Sequence, residues 1–246
     1  MTTNYATHHR HSCIGARAGF GDLLIGAGAM MAEANGLDYE KTPHMREKMV
    51  ELIKITEGFY ACGIAASTMG VHDAAGNFRP DRVYANIGKL LLANQIYDMH
   101  RLAHDVSGGL IVALPTPEED HNPSTAAMLS DVLRGHPDVS YEHRANVARF
   151  IEDLTASETG GWYSVISLHG GGSPEAMKLE ILRNYNVEGR SELVQALFDR
   201  GALELGKGLK VDRQPGRCCA KGCNGDELVN KKADDEHTSE VDLTRT

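Results

Sequence analysis

No stretch of this sequence reaches the roughly 18 uninterrupted apolar residues that a bilayer-spanning helix requires. The most apolar windows, Leu23–Ala32 and Gly108–Leu114, stop well short of it, so no membrane span is expected. Positive charge is also scarce: 25 Lys and Arg stand against 34 Asp and Glu, a formal charge of −9. That balance argues against a nucleic-acid-binding surface, which needs a basic excess to displace counterions. Cysteines number five, three of them crowded into Cys218, Cys219 and Cys223. An odd, uneven set of this kind is unlike the disulfide framework of a secreted domain and points to free or metal-bound thiols. Leu23–Met31 lies where a signal core would, but Asp22 and Glu33 bracket it without a small-residue cleavage pattern. The chain reads as cytoplasmic.

What is present is helical punctuation in a chain of ordinary globular composition. A length of 246 residues allows one or two domains and a large buried core. Thr42 before Pro43 is an N-cap with proline at the first helical position. Met49, Leu52, Ile53, Thr56, Phe59 and Tyr60 then recur at helical spacing toward Met69. Pro80 opens a second long segment, with Val83, Ile87, Leu90, Leu91, Asn94 and Tyr97 along one face before Gly108 and Gly109 end it. A third starts at Ser140, with Val147, Phe150, Ile151 and Leu154 as its seam. These lengths suit an all-α bundle. Domain organisation follows: a bundle over 1–205, then a mostly irregular tail over 206–246 that mixes charge, Gly and Pro.

The segment from His11 to Ala34 keeps helical spacing while carrying Gly15, Gly19, Gly21, Gly26 and Gly28. Glycine costs a helix up to about 1 kcal/mol against alanine, so small residues here imply close approach, either of another helix or of a flat ligand. His9, Cys13 and Ala16 share one helical face. That face either presents an imidazole and a thiol to a metal or flavin, or packs without function. In His169-Gly170-Gly171-Gly172-Ser173-Pro174, Ser173 is an N-cap and Pro174 opens a helix, which turns unpaired N–H groups toward the glycines. An anionic ligand fits such a loop, and so does a plain turn. His100, His104, His136 and His143 sit among charged residues and are expected to face solvent. Cys218, Cys219 and Cys223 offer only part of a zinc or iron–sulfur site.

Several of these segments together resemble a known family. They are His9-Arg10 with Ser12, the run Gly19 to Gly26, Tyr60-Ala61-Cys62-Gly63-Ile64-Ala65, Ala74 with Gly76-Asn77, Gly108-Gly109-Leu110, and His169 to Pro174. Over roughly residues 5–200 the chain is similar to the C-terminal domain of the flavoproteins that group 4-hydroxyphenylacetate 3-hydroxylase with 4-hydroxybutyryl-CoA dehydratase. These have an acyl-CoA dehydrogenase-like fold, and the dehydratase branch is the nearer one.

The resemblance implies FAD as cofactor. It makes His9, Cys13 and His169 the candidate catalytic residues, and Arg10, Ser107, Gly108, Gly109, Gly172 and Ser173 the candidate cofactor contacts. In the dehydratase branch a [4Fe–4S] cluster takes a histidine matching His9 and a cysteine seven residues later. That position is Ala16 here, followed by Arg17 in place of a lysine. A methyl group cannot ligate iron, so His9 is the one metal-ligand candidate of this segment. The branch's catalytic glutamate corresponds to Ile166, which exchanges no protons. The implied assembly is a homotetramer, or a complex with a chain carrying the family's β-domain, acting on an aromatic or acyl-CoA substrate. The rival expectation is a non-catalytic helical oligomerisation module.

Overall fold

The computed structural model describes residues 2–199. The cysteines at 218, 219 and 223, and the expected tail with its boundary at 205–206, lie outside the described residues. Eight helices run along the described chain: α1 (Thr2–Ala34), α2 (Pro43–Thr68), α3 (Arg82–Ser107), α4 (Ala126–Val132), α5 (Tyr141–Thr155), α6 (Glu158–His169), α7 (Pro174–Asn184) and α8 (Val187–Asp199). A two-stranded antiparallel hairpin, β1 (Val71–His72) and β2 (Phe78–Arg79), links α2 to α3. The chain divides into two units, Met1–Tyr185 and Asn186–Thr246, the second contributing α8 to the described residues. Among the described residues no helix is long and apolar enough to cross a membrane. The all-α expectation holds.

α1, α2 and α3 pack mutually, with α5, α6 and α7 laid against α3. Their contact is close because small residues face it. Ile14 of α1 sits in a notch formed by Gly63 of α2 and Gly88 of α3. A Cβ on Gly63 would lie 2.9 Å from the Ile14 side chain, and one on Gly88 would lie 2.6 Å from it. Gly21 is pressed against Thr56, and Gly28 lies against Met49. A tight helix crossing therefore explains these two glycines, whereas Gly15, Gly19 and Gly26 have open space where a side chain would project. Around the notch the core gathers Leu24, Met31, Leu52, Phe59, Leu92, Ile96, Met99 and Ile151, each at most 1% exposed.

Four expectations need correction. α1 begins at Thr2 rather than near His11. α3 begins at Arg82, one residue beyond its N-cap Asp81, so Pro80 precedes the helix rather than opening it. The buried face of α3 is also rotated: Asn94 and Tyr97 are exposed, while Asn86, Lys89 and His100 are buried. His100, expected in solvent, is 6% exposed. α3 is enclosed by α1, α2, α5, α6 and α7, and so buries polar residues that would be solvated on a surface helix.

Capping follows the sequence signals at Ser140 and Ser173, whereas Thr42 precedes α2 without a side-chain cap bond. The Asp81 carboxylate accepts from the Tyr84 N–H at 2.9 Å, and α5, α6 and α7 start at Ser140, Ser157 and Ser173 with the same bond. α3 ends at Gly108, whose φ of 63° is left-handed and suits glycine. Asp81→Ala is expected to cost about 1 kcal/mol, the usual worth of an N-cap, read as a lower urea midpoint at unchanged slope.

Candidate functional site

The structure brings His9, Arg10 and Cys13 of α1 together with the α6–α7 loop, although 161 positions separate Arg10 from Gly171. The Arg10 Nε donates to the Gly171 carbonyl at 2.9 Å, and Nη1 donates to the buried Asn86 Oδ1. His9 Nδ1 and Cys13 Sγ are 3.5 Å apart. Gly171 and Gly172 both have positive φ, 80° and 106°. A Cβ on Gly171 would stand 3.0 Å from His9 Nδ1, and one on Gly172 would stand 3.0 Å from Arg10 Nη2. Glycine thus serves twice at this loop, permitting the turn and keeping the ground above the imidazole and guanidinium clear.

Arg17, marked by the resemblance only as standing in place of a lysine, completes the cluster with two residues that the sequence did not mark, Lys89 and Ser167. Arg17 lies two turns along α1 from Arg10, donates from Nε to Ser167 Oγ at 2.7 Å, and stacks its guanidinium 4.2 Å from the Tyr163 ring centre. Lys89 of α3 is 0% exposed and donates to the Ser167 carbonyl. Ser167, near the end of α6, thereby bridges two cations. Arg10 and Arg17 are 4% and 6% exposed. Desolvation pushes the Lys89 ammonium down to about 8, with Cys13 opposing and Arg17 and Arg10 adding to the fall. Burial likewise lowers Arg10, opposed by Glu180.

His169 and Ser173 are exposed at the same loop, and the Ser173 hydroxyl caps the Ala176 N–H. The Ser107-Gly108-Gly109 turn sits at the far end of α3, some 20 residues and about 30 Å from Lys89 at the helical rise. Ser107 Oγ is turned inward onto the Ala103 carbonyl. One helical domain therefore does not bring the two glycine turns to a single point. Two clefts among the described residues, about 780 Å³ beside Leu37 and His136 and about 510 Å³ over His100 and His104, touch neither turn nor the cationic cluster. Ala16 is exposed, and among the described residues no group of three or more His, Cys, Asp or Glu could hold a metal ion. The residues present do not fit an iron–sulfur cluster on their own.

Long helices crossing on glycine notches beside an interhelical glycine loop fit the helical domain of the acyl-CoA dehydrogenase-like class that the resemblance implies. Residues 1–199 match the family described as 4-hydroxyphenylacetate 3-hydroxylase C terminal. The 4-hydroxybutyryl-CoA dehydratase/vinylacetyl-CoA-Delta-isomerase of Clostridium aminobutyricum is 34% identical over 206 residues, covering 80% of this chain and 41% of that protein. The 4-hydroxyphenylacetate 3-monooxygenase oxygenase component of Thermus thermophilus is 23% identical over 80% of this chain and 40% of its own length. Among solved structures, an oxygen-tolerant archaeal 4-hydroxybutyryl-CoA dehydratase from N. maritimus superposes with a TM-score of 0.75 at 32% identity, covering 80% of this chain and 39% of that one. The chain belongs to the 4-hydroxyphenylacetate 3-hydroxylase C-terminal family. It spans about two-fifths of the length of these relatives.

Proposed function

We propose that this chain supplies the helical side of the active site in a flavin-dependent oxidoreductase. The observation that carries the reading is the convergence of His9, Arg10 and Cys13 with Gly171 and Gly172, a face built from distant parts of the chain and kept clear by two glycines. A bound FAD would supply electron or hydride transfer. The residues here fit one side of such a group: guanidinium donors for its anionic part, and an imidazole and a thiol at the glycine loop. Alone, the domain is expected to be inactive, because a cofactor gripped on one side stays wet and poorly oriented. The substrate is a small aromatic or acyl-CoA molecule, the kind the relatives are named for. Dehydration is not part of the proposal, since Ile166 offers no proton and Ala16 no thiolate.

A second reading, a helical module kept for homo-oligomer formation, is favoured by one feature. Along α2 an apolar stripe of Val50, Ile53, Tyr60 and Ile64 is 40–56% exposed. Both readings meet one test. The chain is mixed with a separately purified polypeptide carrying the preceding part of a dehydratase-type relative, FAD is added, and flavin absorbance is followed through gel filtration. A yellow complex containing both polypeptides supports the flavin reading. A colourless, helical oligomer of this chain alone overturns it in favour of the module.

A further inference from the structure

Two histidines of α3, one helical turn apart, line the cleft of about 510 Å³ that α3 forms with α6 and the end of α5. His100 is more than nine-tenths buried and His104 is half-buried. Neither belongs to the face made by α1 and the α6–α7 loop.

The hydrogen bonds around the two rings fix which nitrogen of each carries the proton. Ser164 donates its hydroxyl proton to the Gly160 carbonyl, so its oxygen accepts from His100 Nδ1–H, 3.3 Å away. Thr155 donates to the Ile151 carbonyl and accepts from His104 Nε2–H at 2.8 Å. A neutral imidazole has one donor nitrogen and one acceptor. His100 Nε2 and His104 Nδ1 are therefore bare lone pairs, and Nε2 is buried with no hydrogen bond of good geometry. This is the arrangement of a metal-ligating histidine, whose second nitrogen donates to an oxygen that holds the ring and its tautomer in place.

The two rings also approach one another. Helical side chains lean toward the N-terminus, which carries the His104 ring back over the turn that bears His100, and the two interact electrostatically. Both meet Thr155, His104 at its hydroxyl and His100 at its carbonyl. The charged groups of the rim are already matched: Asp105 is paired with Lys48 at 3.5 Å and with Arg101 at 3.4 Å.

We propose that His100 and His104 form a two-histidine site for a divalent transition metal of the Cu²⁺, Ni²⁺ or Zn²⁺ kind, with water completing its coordination. Imidazole selects these ions over Mg²⁺, which takes oxygen ligands. The site uses no residue of the flavin reading and stands or falls apart from it.

Trp162, the single tryptophan of the chain, follows Gly161 of the cleft lining and reports on binding there. Cu²⁺ and Ni²⁺ quench indole emission at short range, so the full chain is titrated with each at neutral pH. Saturable quenching is expected, reversed by competing Zn²⁺ and unaffected by Mg²⁺. His100→Gln and His104→Gln each turn a chelate into a single contact and should weaken Cu²⁺ about tenfold or more. His143→Gln, at an exposed position of α5, should change nothing. Serine at Cys218, Cys219 and Cys223 together should leave the quenching intact; its loss there would assign the metal to those thiols and overturn the proposal. Helical circular dichroism accompanies each variant, and His104→Gln, at the less buried position, keeps the test decisive should His100→Gln unfold. No saturable quenching of wild type, or unchanged Cu²⁺ affinity in folded His104→Gln, overturns the proposal as well.

Discussion

Lys89→Met is expected to make the chain more stable at neutral pH, by about 2 kcal/mol. Lys89 is wholly enclosed, and desolvation brings it from 10.5 to about 8. One pKa unit corresponds to about 1.4 kcal/mol, so holding the ammonium inside costs roughly 3 kcal/mol. Losing the bond to the Ser167 carbonyl returns about 1 kcal/mol of that. The sign follows from linkage. A base whose folded value is depressed lets stability rise with pH between about 8 and 10.5, because the unfolded chain then holds more protons. The advantage of methionine should therefore be large at pH 7 and shrink by pH 9.5, read from urea unfolding of both proteins. A variant less stable than wild type at pH 7 would show that the ammonium is better compensated than its surroundings suggest.

Acid should act in the opposite place. His100 is enclosed between Phe20, Tyr97 and Ser164, with ring centres 5.7 Å and 6.4 Å from the two aromatics. Desolvation and the neighbouring His104 lower it from 6.5 to about 4. Thr155 raises it slightly through its carbonyl, yet Nε2 makes no hydrogen bond of good geometry. The core accepts only the neutral ring. Its contribution is complete above pH 6.5 and is lost as pH falls toward about 4, a change of roughly 2–3 kcal/mol. His100→Gln does not titrate, so the difference in unfolding free energy between variant and wild type should shift by that amount between pH 7 and pH 4. A difference that stays flat across this range would mean that the imidazolium finds a partner inside the fold. Carboxylates such as Asp73 and Asp120, held low by Asn77 and Arg149 respectively, add their own loss at still lower pH in both proteins.

The caps and half of the cluster were legible before any coordinates. Thr42-Pro43, Ser140 and Ser173-Pro174 mark helix starts through chemistry confined to a few neighbouring residues, which is why they transfer directly to structure. His9 and Cys13 are one turn apart, so their meeting needed only the helix itself. Asn86, Lys89 and Ser167 escaped for a different reason, and Arg17 was marked only as standing in place of a lysine. Charged and amide side chains are read as solvent-facing because they usually are, and nothing local announces that α3 is surrounded. A signal did exist: Ala85, Lys89, Leu92, Ile96, Met99 and Ala103 keep one helical register, and a lysine inside that apolar series is out of place on a solvated face. His100 follows Ile96 by four residues and was open to the same correction. The separation of the two glycine turns could not be read at all, since it depends on α3 remaining one unbroken helix between them.

The isoleucine wedged between two glycines has a consequence for how accurately the basic residues can be aimed. Ile14 lies one turn after Arg10 and three residues before Arg17, so the same peg that joins three rods also indexes both guanidinium groups along the rod that bears them. Sliding that rod by a single turn would drive the peg out of its socket. Axial play at the charged end is thereby suppressed by a purely hydrocarbon fitting, and calibration of the polar chemistry is delegated to a residue that takes no part in it.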